Sequence, residues 1–296
     1  MDEILSIPGA RRLCSCLLQA LALAFLGFQS FSAAHVGIHE EIETLSRIIQ
    51  QDPTISQLYE SRGEANRLHG NLDRAAQDFK TALDIDPGNV AATIGLGQTY
   101  LDQGNARQAM IYLNRALAKE SDNIRALTTR AQAYTRLHRP LDAAADYTSI
   151  IKQFGAHKKP IPDHYLECAR AYALAGDTHI ERALNILDEG INVLGRIRIL
   201  ELYAAELEVK RGNFDTGLAR LDSILADATR KEFLLLKRGD ILTAAGQPAA
   251  ATREYRAAQD AIATLPPQRR NTSAIRQLQA NLVIRLASHG VSSDTD

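Results

Sequence analysis

Tryptophan is absent from this sequence of 296 residues, and aromatic residues make up only 5% of it. Basic and acidic side chains nearly cancel, which gives a formal net charge of −1 and a pI near 6.7. Such a balance provides no electrostatic case for a nucleic-acid partner.

The motifs that carry most enzyme chemistry are also missing. No phosphate-binding glycine loop, G-x-S-x-G, H-E-x-x-H or C-x-x-C motif occurs. The G-x-G at Gly95 and Gly97 follows no strand and lies within a predicted helix. Carboxylates on the predicted helices, such as Asp146, have basic residues at helical spacing, which is typical of solvated faces. We therefore expect no catalytic activity and no cofactor.

What the sequence contains is a repeat of about 34 residues. A small residue recurs inside one predicted helix, at Gly63, Gly97, Ala131, Ala169, Ala205 and Gly239. A turn residue follows, at Gly70, Gly104, His138, Gly176, Gly212 and Gly246. The next helix carries a second small residue and, four positions later, a bulky one, which is Phe79, Leu113, Tyr147, Leu187, Leu221 or Tyr255. Since no hairpin can bury its face alone, the units are predicted to stack into a solenoid.

This pattern resembles the tetratricopeptide repeat family, whose motif is W-x2-L-G-x2-Y…A-x3-F…P. Tyr59, Gly63, Ala75, Phe79 and Pro87 match it best, and Leu96, Gly97, Tyr100 and Ala109 come next. The later units lack the closing proline, and Gly217 replaces an alanine. The resemblance implies an all-α fold, a right-handed α-solenoid of about six helix hairpins over residues 56–265. The units are predicted at 56–89, 90–123, 124–157, 158–197, 198–231 and 232–265.

Family membership implies a protein or peptide partner in a concave groove lined by the first helix of each unit. The implied groove residues are Gln57, Glu60, Glu64, Arg67, Gln98, Gln132, Leu166, Arg170, Leu202, Val209, Phe233 and Leu236. Their first half is polar and their second half mostly apolar, so we expect a partner's apolar segment at the later units. Glu60 and Glu64 stand where some relatives clamp a C-terminal carboxylate with lysine and asparagine. Two acidic groups would repel such a ligand.

Residues 1–34 have the order of a signal peptide. Arg11 and Arg12 precede a mostly apolar run, Leu13 to Phe28, and the small residues 32–34 predict cleavage before His35. The protein is then exported, to the periplasm or beyond; the alternative is an uncleaved membrane anchor. Loss of this segment would leave Cys168 as the one remaining cysteine, and we expect a buried thiol there.

Two further helices are predicted to close the ends of the repeat array. Residues 35–53 form an amphipathic helix at the position of a second helix, and residues 271–289 form a C-terminal capping helix. The apolar faces are Ile38, Ile42, Leu45, Ile48 and Ile49 in the first, and Ile275, Leu278, Leu282 and Leu286 in the second. Residues 155–163 are predicted to form an irregular loop, and residues 290–296 a disordered tail.

The leading functional hypothesis is a non-enzymatic protein-interaction scaffold of a bacterial-type cell envelope, with an accessory subunit of an envelope enzyme as a close variant. A metal-handling protein is the alternative from another class. Cleavage before His35 would place a free amine and its imidazole one helical turn from His39, with Glu40 or Glu43 as an oxygen ligand. Such a nitrogen-rich set suits copper, nickel or zinc. Two solvated histidines are the simpler interpretation of the same residues.

Overall fold

The computed structural model describes residues 37–154 and 160–290, and no strand occurs among these residues. The predicted signal peptide, His35, residues 155–159 of the predicted loop and residues 291–296 of the predicted tail lie outside the described residues. Contacts divide the chain into two compact units, Met1–Ala133 and Tyr134–Asp296, which we describe separately. Across the described ranges, no helix is both long and apolar enough to cross a membrane.

The first unit is built of helices joined by short turns. Helix α1 covers residues 37–51. It is followed by α2 (Ser56–Leu68), α3 (Leu72–Ile85), α4 (Val90–Asp102), α5 (Ala106–Lys119) and α6 (Ile124–Arg136), the last of which ends in the second unit. From α2 to α5 each helix contacts the next, and α2 also contacts α4, so the first helices of these two hairpins are stacked.

The second unit continues the alternation. Its helices are α7 (Pro140–Lys152), α8 (Pro162–Leu174), α9 (Ile180–Leu194), α10 (Arg198–Lys210), α11 (Phe214–Asp227), α12 (Glu232–Ala244), α13 (Pro248–Ala263), α14 (Pro267–Arg270) and α15 (Ser273–Gly290). A short 3-10 helix, Asp177–His179, precedes α9 where the sequence has extra turn residues. Here α8 contacts α10, and α15 packs against α13.

The turn residues predicted from the repeat all adopt a left-handed backbone. Gly70, Gly104, Gly176, Gly212 and Gly246 have φ between +72° and +115°. Glycine is favoured there because it has no Cβ to clash with the following carbonyl. His138 occupies the same turn position with φ of 56° and is the one non-glycine residue with positive φ in the described chain.

Where the small residue of the first helix is a glycine, it lies against the bulky residue of the second helix. A Cβ built on Gly63 would lie 3.1 Å from the Phe79 ring, and one on Gly239 would lie 2.4 Å from the Tyr255 ring. Phe79 and Tyr255 are 1% and 0% exposed. The absence of a side chain on the first helix therefore sets the distance between the two helices of a hairpin.

An ion pair recurs next to this contact. Arg62 directly precedes Gly63 and holds Asp78, sixteen residues later, with hydrogen bonds of 2.6 and 3.0 Å. Arg238 directly precedes Gly239 and pairs with Glu254 at the same spacing. The prediction that helix carboxylates are solvated is wrong for Asp78 and also for Asp146, which are each 5% exposed. We expected basic partners three or four residues away on the same helix, whereas the partner of Asp78 lies sixteen residues away on the other helix of the hairpin.

These observations confirm the all-α repeat solenoid. Helix α1 lies before the first complete hairpin, and α15 follows the last one through a cluster that joins Ile275, Leu278 and Leu282 to Tyr255. Pro140 occupies the first position of α7, where the lost amide proton breaks no helical hydrogen bond.

We predict that Gly239→Ala destabilises the protein by about 1 to 3 kcal/mol, because the added methyl group overpacks a filled core. Urea denaturation followed by circular dichroism measures the change. Gly63→Ala is the graded control, since its Cβ would approach Phe79 only to 3.1 Å and needs a smaller shift. A Gly239→Ala protein as stable as wild type would show that the close approach does not determine the packing.

Candidate partner-binding surfaces

Polar side chains link the first helices of the first unit. Glu64 on α2 accepts hydrogen bonds from Arg67 at 2.8 and 3.0 Å and from Arg125 on α6 at 2.9 Å. Arg67 also pairs with Asp102 on α4 at 2.9 Å. Arg125 donates in addition to the side-chain oxygen of Gln98 on α4. Three consecutive first helices are therefore joined by one charged network, which we call the α2–α6 network.

The electrostatics of Glu64 follow from this network. Partial burial raises the pKa of its carboxyl, but the hydrogen bond from Arg67 and the charges of Arg125 and Arg67 outweigh that effect, so the pKa is lowered. Glu64 is consequently ionised and held by two guanidinium groups. We expected Glu60 and Glu64 to repel a carboxylate, but the two guanidinium groups neutralise Glu64, so this repulsion does not apply to it.

Glu60 has a different role in the same region. Asn89, at the start of α4, donates one hydrogen bond to Glu60 at 2.8 Å and another to Ser56 at 3.1 Å. The side-chain oxygen Oδ1 of Asn89 at the same time caps α4 by accepting from the backbone N–H of Ala92. Glu60 therefore fixes the entry of the next repeat. Together with Glu41, Glu64 and Arg125 it borders a polar cavity of about 260 Å³.

The second unit contains a cavity of a different character, which we call the α10–α12 pocket. It has a volume of about 200 Å³ and lies between the first helices α10 and α12, with α11 behind them. Its lining residues are Leu202, Ala205, Glu206, Val209, Leu221, Lys237, Asp240 and Ile241. Five of these are apolar, and the apolar ones form a continuous cluster with Ile224 and Leu234 beneath.

The charged residues at the rim of the α10–α12 pocket are already paired. Lys237 forms an ion pair with Glu206, and its ammonium group lies 5.7 Å from the centre of the Phe233 ring. Asp240 accepts hydrogen bonds from Arg285 at 2.8 Å and from the Tyr255 hydroxyl at 2.9 Å. The rim is thus fixed in place while the apolar floor remains open to a ligand.

The structure brings together some of the predicted groove residues and separates others. Leu202 and Val209 line the α10–α12 pocket, whereas Leu166 and Leu236 are only 3% and 7% exposed and belong to the core. The polar residues Gln57, Gln132 and Arg170 are exposed. Sequence reasoning missed Lys237 and Ile241 as pocket residues. The available signal for Lys237 was its position one helical turn after Phe233.

No group of three or more histidine, cysteine, aspartate or glutamate side chains is arranged to hold a metal within residues 37–154 and 160–290. His39 contacts Glu43 at 3.2 Å on an exposed helix face, and its ring centre lies 6.3 Å from that of His69. His35, the other predicted ligand, lies outside the described residues. No observation in the described part of the chain favours the metal-handling hypothesis.

Cys168 is a buried free thiol, as expected. Its sulfur lies 3.5 Å from the Thr148 hydroxyl and 3.6 Å from the Ala144 carbonyl oxygen. Burial raises the pKa of the thiol to about 11, with a smaller opposing effect of the Thr148 hydrogen bond. Cys168 is therefore protonated at neutral pH and fills space beside Ala169 rather than acting as a nucleophile.

The α2–α6 network predicts how stability depends on pH. Because the pKa of Glu64 is lowered on folding, its contribution is fully present above the usual glutamate pKa of 4.5 and is lost as the pH falls through the folded value. At pH 7, Glu64→Gln should reduce stability by on the order of 1 kcal/mol, the upper range for partly exposed ion pairs. Chemical denaturation at pH 7, 5 and 3.5 measures the difference between wild type and variant.

That difference should shrink as the pH falls, because the wild-type carboxyl becomes protonated. Arg125→Gln, which leaves the Arg67 contacts in place, should show the same trend with a smaller amplitude. A stability gap that stays constant from pH 7 to pH 3.5 would contradict the assignment.

Comparisons with known proteins agree with this geometry. Two models described as tetratricopeptide repeat match the chain, one over residues 42–90 and the other over residues 67–133. General transcription factor 3C polypeptide 3 of Homo sapiens is 24% identical over 185 residues, which cover 60% of this chain and 20% of that protein. The chain thus spans about a fifth of the length of this curated relative.

Two solved structures show the same fold. A tetratricopeptide repeat protein from Parabacteroides merdae gives a TM-score of 0.51 at 20% identity, over 82% of this chain and 91% of that one. The C-terminal part of a TPR repeat-containing protein from Cytophaga hutchinsonii gives 0.64 at 12% identity, over 77% and 92%. The chain therefore contains tetratricopeptide repeats within residues 42–133, and its described helices form the repeat solenoid that such proteins share.

Proposed function

We propose that this protein is a non-enzymatic scaffold that binds a protein or peptide partner along the first helices of its repeats, and that the α10–α12 pocket anchors an apolar side chain of that partner. The observation that carries the proposal is the pocket itself. It is concave, its floor is apolar, and two of its residues, Leu202 and Val209, are among those that the family resemblance implied.

The pocket has the properties of an anchoring site rather than of a catalytic one. Its volume of about 200 Å³ suits a single bulky apolar side chain, and burying such a side chain contributes about 1.5 to 3 kcal/mol. The Glu206–Lys237 ion pair and Asp240 lie at the rim, where they offer a hydrogen-bonding border to a bound backbone. No nucleophile or free general base is placed against the apolar floor.

The α2–α6 network complements this anchor. Its charges are neutralised within the protein, so it attracts neither a strongly acidic nor a strongly basic ligand. It instead fixes the positions of α2, α4 and α6 and presents amide and guanidinium groups to solvent. We infer that the first unit supplies adaptable polar contacts, whereas the second unit supplies most of the affinity.

Leu202→Asp should weaken partner capture at least tenfold, because a charge would enter the apolar floor and a tenfold loss corresponds to about 1.4 kcal/mol. Partners are captured from an envelope extract, identified by mass spectrometry, and then titrated against purified variants. Leu174→Asp is the matched control, since Leu174 is 66% exposed and does not line the pocket.

Phe233→Ser tests the same site without disturbing the core, since Phe233 is 49% exposed at the rim. Circular dichroism must show native helicity for each variant. Undiminished capture by Leu202→Asp and Phe233→Ser would exclude the α10–α12 pocket as the anchor.

We further propose that the scaffold acts in the cell envelope after export. The support is the order of basic, apolar and small residues in 1–34, which is typical of a signal peptide. N-terminal sequencing of protein purified from its native host should give a chain that begins at His35. A chain that still begins at Met1 would contradict cleavage, and its recovery in a washed membrane fraction would support the anchor instead.

A further inference from the structure

Helix α15 has the register of a first helix of a repeat. In each complete unit the small residue stands seven positions after the first residue of the first helix, as in Ser56 and Gly63 or Glu232 and Gly239. In α15 the first residue is Ser273, and the seventh position after it is Ala280, again a small residue. Ile275, Leu278 and Leu282 face α13, as a further first helix would.

The face of α15 that would contact a second helix is exposed. In complete units this face is covered, because Gly63 packs on Phe79 and Gly239 on Tyr255. Leu242, three residues after Gly239, is only 6% exposed. Its counterpart in α15 is Val283, and both Val283 and the adjacent Ile284 are 61% exposed in the described structure. Val283 is therefore presented at a position where the repeat normally places a helix, and Ile284 extends the exposed apolar surface beside it.

Helix α1 has the opposite register, that of a second helix. Arg62 donates to Ser46 of α1 at 3.1 Å, over a spacing of sixteen residues. The same spacing joins Arg130 of α6, a first helix, to Asn114 of α5, the second helix that precedes it. Residues 34 positions apart then correspond, so Ile48 is the counterpart of Ala82.

The corresponding face of α1 is open as well. Phe79 and Ala82 are 1% and 0% exposed in the first complete hairpin. Their counterparts Leu45 and Ile48 are partly exposed, with Ile48 at 40%. Helix α1 thus presents Leu45 and Ile48 where a first helix would pack, with Glu41 at the position of Ala75.

The two helices also differ in charge. Residues 37–51 carry three glutamates and one arginine, whereas α15 carries two arginines and no acidic residue. A pairing of α15 with α1 brings a basic and an acidic helix together, while a pairing of two α15 helices brings two basic helices together, even though Arg285 is held by Asp240. Complementary charge makes α1 of another copy a better occupant of the α15 face than a second α15.

We propose that α15 of one copy binds α1 of the next copy as its second helix, so that copies associate head to tail. Ala280 of one copy would face Leu45 of the other, in the places that Gly63 and Phe79 take within one hairpin. Such an interface uses two different surfaces, and it therefore builds rings or filaments rather than closing in a symmetric dimer.

The experiment is size-exclusion chromatography coupled to light scattering, which measures the molar mass of protein purified from the native host. Wild type should have at least twice the mass of one chain at concentrations of tens of micromolar. The double variant Val283→Arg/Ile284→Arg blocks the α15 face, and Ile48→Glu blocks the α1 face; each should be monomeric by itself. Ile111→Arg, at an equally exposed apolar position on α5, should associate like wild type.

Mixing the two blocked variants gives the decisive result. One retains an intact α1 face and the other an intact α15 face, so the mixture should contain a 1:1 dimer that grows no further. A monomeric wild type would overturn the proposal. That is also the result expected if residues of the same chain cover these faces. Dimers of Ile48→Glu alone, with no dimer in the mixture that contains both variants, would instead establish an α15–α15 contact and also overturn it.

Discussion

The structure depends on one contact, that between a glycine on a first helix and a large buried side chain on the helix that follows. At Gly63 and Gly239 the partner ring occupies the space that a Cβ would need. This contact sets the spacing of the two helices in those hairpins. The close approach then brings Arg62 and Arg238 within reach of the acidic residues that hold them.

Much of the fold followed from the sequence, because the repeat encodes local contacts. Turns at Gly70 and at His138 and a buried thiol at Cys168 were predicted from the sequence, and each is present. These features require only that two neighbouring helices form a hairpin. Spacing along one chain segment contains that information.

The binding surfaces were predicted less well, because they depend on contacts between hairpins. The repeat placed Leu166 and Leu236 in the groove, but packing by neighbouring units buries both. Glu64 seemed an unpaired acid until the fold brought Arg125, 61 residues away, within 2.9 Å of it. Long-range pairs of this kind leave no periodic signal, so they become visible only when the helices are stacked.

The central claim is that a partner binds at the first-helix surface of the second unit. A photoreactive amino acid placed at Phe233 and activated in the native host tests it most directly, with the same substitution at Ile111 as reference. The account predicts a specific crosslinked protein from position 233 and none from position 111. Crosslinking of the same partner from position 111, or from neither position while the partner is still captured, would contradict it.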